Sequence, residues 1–316
     1  MLEYIIKRLL LIPITLLGIY TITFALLYIV PGDPVATIVG QHADEQTKNE
    51  IRKDLELDKP WYIQYKNRLW RTLHGDLGRS FIRQEEVSKA IISRVPNTAL
   101  LAFVSVLISF IVGVPIGVIS AIKQYTWIDR GVMALAITGV STPSFLAGLL
   151  ALLFFTGPGS LRIFPIQVPT TYPEMLWYVI LPASVLGLRE VAIIARLTRS
   201  SMLEVIRQDY IQVARAKGIS EFKVIMKHAL RNVLIPVVTY VGTDFAFLMG
   251  GAVVSETVFT WPGIGLLSVQ SLRDLDIPMV LGTVLFIATA IVFINLLVDI
   301  SYAILDPRIK LGSKNT

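Results

Sequence analysis

The sequence predicts an all-α integral membrane protein with six transmembrane helices and a small helical extracytoplasmic insertion after the first. Three observations predict it. Of 316 residues, 54% are hydrophobic and only 16% charged, with a mean hydropathy of +0.65, against roughly 25% charge in ordinary soluble domains. The apolar residues fall into six blocks, 9–30, 98–119, 132–156, 175–197, 232–254 and 279–303, each near the roughly 20 residues that carry a helix across about 30 Å of hydrocarbon. Lysine and arginine also alternate between successive connections, which fixes an orientation.

The first block is long for a signal-peptide core, and no small-x-small site precedes Pro31-Gly32-Asp33-Pro34, so it is expected to remain as a helix. Segment 31–97 holds 11 basic and 10 acidic residues, and segments of that length translocate largely regardless of charge. Within it, Asp44 to Leu57 has helix-forming composition. Trp61, Tyr65, Leu69 and Leu73 make one helical stripe, and Gly75-Asp76-Leu77-Gly78 is a turn signal. The expected outcome is a small outer cap held by its aromatics, or an amphipathic helix that only packs.

Blocks two and three carry no charge. Block four holds Arg189, Glu190 and Arg196, block five Asp244 and block six Asp299. A charge at bilayer depth is costly and faces a bundle interior, a partner or water. Arg189, Glu190 and Asp244 therefore either line a polar path or pair between helices, and the sequence leaves both open. Pro143 and Pro182 interrupt spans three and four.

The N-terminus, the loop 120–130, the connection 197–231 with Arg196, and the C-terminal tail hold 15 basic residues. The short alternate loops 157–174 and 255–278 hold only Arg162 and Arg273. Both termini are therefore expected in the cytoplasm. The chain has no cysteine, and His42, His74 and His228 are too dispersed for a local metal pair. It also lacks a G-x-x-x-x-G-K-[ST] phosphate loop, so ATP is not held by that route.

Between spans four and five the sequence reads as two short helices. The first ends at Gly218, a residue suited to a left-handed closure, and Ser220 is placed to cap the second, with Glu221 at its positive end. Eight nearby basic residues also suit a DNA-binding helix-turn-helix. Hydrophobic spans on both sides leave no room for the third helix of such a module, so nucleic acid is not an expected partner. An ion-coupled secondary transporter is a further alternative, and the internal repeat expected of one is not seen.

At this segment the chain resembles ABC importer permeases. Gln212-Val213-Ala214-Arg215-Ala216-Lys217-Gly218 is similar to their EAA loop, matching its general form at Ala214 and Gly218. Asp209-Tyr210 and His228-Ala-Leu-Arg-Asn232-x-x-Ile-Pro236 are closer to the dipeptide, oligopeptide and nickel branch. Pro31-Gly32-Asp33-Pro34, Gly75-Asp76-Leu77-Gly78-x-Ser80 and Glu256-x-x-Phe259-x-Trp261-Pro262-Gly263-x-Gly265 look like the same branch, and the long outer segment looks like its B-type subunit.

The resemblance implies a type I ABC importer permease fold. It divides the chain into residues 1–30, an outer insertion 31–97 and a five-helix core 98–316 with a coupling hairpin at 199–231. It further implies a translocation path for di- or oligopeptides, with nickel or another small solute as the alternative, in a prokaryotic cell membrane. The partners it implies are a C-type permease, two ATPases that bind the ATP and magnesium, and an extracytoplasmic binding protein, with no cofactor and no enzymatic activity in this chain. On the same resemblance Gln212, Val213, Ala214, Arg215, Lys217, Gly218, Ile219 and Glu221 form the ATPase contact.

Overall fold

The computed structural model describes residues 2–29, 35, 44–157, 161–169, 171–250 and 252–305. The turn at 31–34, His42 and the basic tail residues 308, 310 and 314 lie outside the described residues, as do the side chains of Lys7, Arg8 and Asp299. The described residues are helical nearly throughout, with one isolated bridge between Arg79 and Glu86. Among the described residues five helices are long and apolar enough to cross a membrane, or six with a bent pair taken as one span.

In chain order, α1 is Leu2–Ile29, α2 Glu45–Asp54, α3 Trp61–Leu73, α4 Val87–Ile122, α5 Trp127–Ser141, α6 Ser144–Phe155 and α7 Tyr172–Tyr178. Then come α8 Ile180–Val205, α9 Asp209–Ala216, the short α10 Glu221–Lys223, and a π turn Val224–Ala229 that runs into α11 Leu230–Met249. The chain continues through α12 Val253–Val258, α13 Ile264–Arg273 and α14 Ile277–Leu305.

Three spans differ from the sequence expectation. The second begins at Val87, not 98, so the last part of segment 31–97 is already helix. The third is not one helix: the two pieces of the bent pair lie at 102° to each other. Thr142 is extended (φ −79°, ψ 122°) because the following Pro143 disfavours helical backbone before it, and Pro143 then opens α6 without needing an N–H donor. The fourth runs on to Val205, so Arg199 lies on a long helix and the hairpin begins later than residue 199. Pro182 falls in the first turn of α8, where it is tolerated, just after the break at Val179.

The contacts form two compact groups, residues 1–98, 249–253 and 262–316 in one and 99–248 with 254–261 in the other. In the first, Tyr20 and Phe24 of α1 pack with Leu281 of α14, and Tyr65 and Leu69 of α3 join them. Trp61 and Leu73, at the ends of the same stripe, are exposed. A spacing of four advances about 40° beyond a full turn at each step, so a stripe of four such residues rotates out of contact at its ends. Asp44 caps α2, its carboxylate accepting from Thr47 N at 3.1 Å.

In the second group α4 and α8 approach very closely. Gly113 and Gly117 stand four apart on α4, and a Cβ added at Gly117 would lie 2.6 Å from the Thr198 Cβ, while one at Gly113 would lie 2.9 Å from the Ile194 Cβ. Small residues at this spacing let helices pack backbone to backbone where lipid gives no hydrophobic drive. Gly117→Leu is therefore expected to cost about 1–3 kcal/mol by overpacking, seen as a lower unfolding midpoint of the purified chain. Gly18→Leu, with nothing within 4 Å of its Cβ position, should leave the midpoint unchanged. Equal midpoints for the two variants would contradict the close approach.

Candidate functional site

The hairpin between α8 and α11 is built on two faces. Ile211 and Ala214, one turn apart on α9, are buried with Val224, Ile225 and Ala229 of the second arm, in one cluster with Val114 and Val118 of α4, Ile194 and Met202 of α8, and Val233 and Val237 of α11. The hairpin thus shares its core with the spans. Its other face exposes Tyr210, Val213, Phe222 and Met226, with Phe222 74% exposed, and the charged Lys217, Glu221, Lys223 and Lys227 stand among them.

Gly218 closes α9 with φ +75°, the left-handed conformation expected of it, and nothing lies within 4 Å of its Cβ position. A side chain there is opposed by the backbone alone. Ser220 stands at the N-cap position but makes no side-chain cap, contrary to expectation. The closure is made instead by Arg215, whose Nε and Nη2 donate to the two carboxylate oxygens of Glu221 at 3.1 and 2.7 Å. Asn232 donates to the Tyr210 hydroxyl at 2.6 Å, which brings together two stretches that carried the sequence resemblance. Of the eight predicted contact residues, Ala214 faces inward and Ile219 packs against the core, so neither belongs to the exposed face. Gln212, Val213, Lys217, Gly218 and Glu221 are exposed and Arg215 is half-buried.

Arg199 of α8 holds Asp129 of α5 in a fork, Nε to Oδ1 at 2.7 Å and Nη2 to Oδ2 at 2.8 Å. The Ser120 hydroxyl of α4 also donates to Asp129, as does Tyr125 N. This buried anchor ties three helices near the hairpin. In the sequence Arg199 stands out only as one positive charge among several, and nothing local marks Asp129 as its partner.

The intramembrane polar residues separate. Glu190 of α8 is 7% exposed and accepts a hydrogen bond from Tyr240 of α11, a partner the sequence reading did not identify. The Arg189 side chain is 63% exposed and lies 3.9 Å from Glu190. Asp244, one turn from Tyr240, is partly buried, and the pairing weighed between Arg189 and Asp244 is not formed.

Two further motifs form structural clamps. Gly75 and Gly78 both have positive φ, +83° and +85°. They deliver Ser80 to donate to the buried Asp276, whose other oxygen accepts from Met279 N in the first turn of α14. Burial pushes the Asp276 carboxyl above its ordinary value. Trp261 is fully buried and stacks on Tyr178, which donates to the Phe259 carbonyl at 3.1 Å. Among the described residues no group of three or more His, Cys, Asp or Glu is placed to hold a metal ion.

Comparison with known proteins agrees with this architecture. Residues 113–311 match the family described as binding-protein-dependent transport system inner membrane component, and residues 1–102 match its N-terminal region. A putative peptide transport system permease protein of Brucella abortus (strain 2308) is 45% identical over 303 residues, covering 95% of this chain and 96% of its own. A glutathione transport system permease protein of Salmonella typhimurium is 40% identical over 314 residues, covering 98% and 99%. With matches spanning its spans, clamps and hairpin alike, the chain belongs to the family of binding-protein-dependent transport system inner membrane components.

Proposed function

We propose that this chain is the B-type permease subunit of an ATP-driven importer for short peptides, working by alternating access. It would be paired with a C-type permease, supplied by an extracytoplasmic binding protein and driven by two ATPase subunits. The observation that carries the reading is the two-faced hairpin, an exposed apolar and basic surface fixed from behind by the core of α4, α8 and α11. A surface of that kind suits docking in a partner's groove, and its shared core suits passing the partner's motion to the spans as one lever. The peptide class is drawn from the two relatives' names, and neither name supports the nickel alternative.

With the ATPases on the cytoplasmic side, both termini and the hairpin lie inside and the 44–97 region outside, as the distribution of basic residues requires. Glu190, held by Tyr240, serves the interior of the bundle. The exposed Arg189 and the uncommitted Asp244 are the residues of this cluster available to the path or to the second permease.

Three outcomes are expected. Gly218→Val should fold, since only backbone strain of about 1–2 kcal/mol opposes it, while ATP hydrolysis in reconstituted vesicles loses its stimulation by loaded binding protein and uptake falls. Unchanged coupling would remove the hairpin from the transmission path. Single cysteines at Gln84 and Ser220, both exposed in a chain with no other cysteine, should respond oppositely to an impermeant thiol reagent in intact cells. Equal labelling would defeat the orientation. Tyr240→Phe should cost about 1–3 kcal/mol by leaving the buried Glu190 carboxyl without its donor, whereas Arg189→Ala should cost under about 1 kcal/mol because the side chain is solvated or partner-facing. The reverse ranking in thermal unfolding would show that Arg189, not Tyr240, holds the carboxylate.

A further inference from the structure

A cavity of about 90 Å³ opens in the first group of contacts, where α1, α3 and the start of α14 meet the 76–81 segment. Two polar side chains that line it have unmet needs. Tyr20 is 3% exposed and its hydroxyl makes no well-formed hydrogen bond, the neighbouring Thr72 hydroxyl donating instead to the Arg68 carbonyl at 2.8 Å. Arg68 donates from Nη2 to the Leu55 carbonyl at 3.0 Å, and Glu56 attracts it through space without an ion pair forming among the described residues. Burial pushes its guanidinium below its ordinary value.

Of the other charges around the cavity, Asp54 is exposed and Glu56, Asp76 and Arg79 are committed. Glu56 accepts from Asn67 and Lys59, each at 3.0 Å, with Arg71 3.6 Å away, and these contacts hold its carboxyl below the usual range, the Asn67 hydrogen bond most of all. Asp76 accepts from Gly78 N at 2.8 Å, and Arg79 donates to the Gln84 carbonyl at 3.1 Å. A desolvated guanidinium with no carboxylate in contact is costly, and so is a buried hydroxyl without a partner. One group answers both, an oxyanion that accepts from Arg68 and Tyr20 together. The volume suits a single carboxylate or phosphate, and Leu281 and Leu285 of α14 supply an apolar wall beside it.

We propose that this cavity is a binding site for one oxyanion, carboxylate or phosphate, held by Arg68 and Tyr20. Its position at the outer end of two membrane-spanning helices makes a lipid headgroup one source and a soluble anion the other.

The test uses the full chain in nanodiscs, reading the unfolding midpoint. In phosphatidylcholine discs, inorganic phosphate or acetate is titrated; in a second arm phosphatidylglycerol is added to the lipid without either anion. A saturable rise in the first arm identifies a soluble oxyanion, a rise confined to the second identifies a lipid headgroup, and either supports the site. Arg68→Gln should weaken the response roughly tenfold or more, as expected for loss of a charge-assisted hydrogen bond. Tyr20→Phe, which removes one oxygen and keeps the ring packing, should weaken it to a lesser degree. Lys66→Gln, an equal loss of charge on an exposed residue of α3, should leave it intact. No rise in either arm for the unsubstituted chain overturns the proposal. So does an undiminished rise in Tyr20→Phe and Arg68→Gln, and if Arg68→Gln does not fold, an undiminished rise in Tyr20→Phe does so alone.

Discussion

Ile211 and Ala214 can be buried only because Val224, Ile225 and Ala229 return beside them, and this arrangement leaves the hairpin no interior separate from that of α4, α8 and α11. A segment of two short helices has too little apolar surface for a core of its own. It borrows one from the spans, which is what the proposed lever requires. The Asp129–Arg199 fork and the Tyr210–Asn232 hydrogen bond reinforce the same junction from two sides. The π turn at Val224–Ala229 sits where the second arm becomes a membrane span. Its insertion of an extra residue per turn is a feature frequent at functional positions.

The bilayer explains much of the rest. Without water at depth, backbone groups must be satisfied within helices, and close packing falls to small residues such as Gly113 and Gly117. Polar side chains inside are then few and tied, as Glu190 is to Tyr240. Outside the membrane, where turns are allowed, the glycines at 75 and 78 take left-handed conformations that bring Ser80 to Asp276 and set the start of α14.

What the sequence revealed follows from the range of the interactions involved. Trp61–Leu73 was legible because its stripe is local, and Gly218 because a left-handed helix end is a one-residue signal. The family was legible from short motifs along nearly the whole chain. The break in the third span was half legible: Pro143 was seen, but a proline can either kink a helix or end it, and the 102° turn depends on packing. The inward face of Ala214 was hidden because small residues suit a docking surface and a tight core equally. Asp129–Arg199 and Glu190–Tyr240 are separated by 70 and 50 residues, and no single sequence announces such pairs. The Gly113-x-x-x-Gly117 spacing, by contrast, is a local signal that the sequence carries openly.

The central claim, that hairpin and spans move as one body, is tested most directly by a distance. Spin labels on cysteines at Lys217, beside the hairpin turn, and Lys123, just past the end of α4, are both exposed in a chain without native cysteines. In the assembled transporter their separation should give one narrow distribution, the same without nucleotide and with ATP bound. A second population appearing with ATP would show the hairpin swinging free of the core it shares, and would contradict the account.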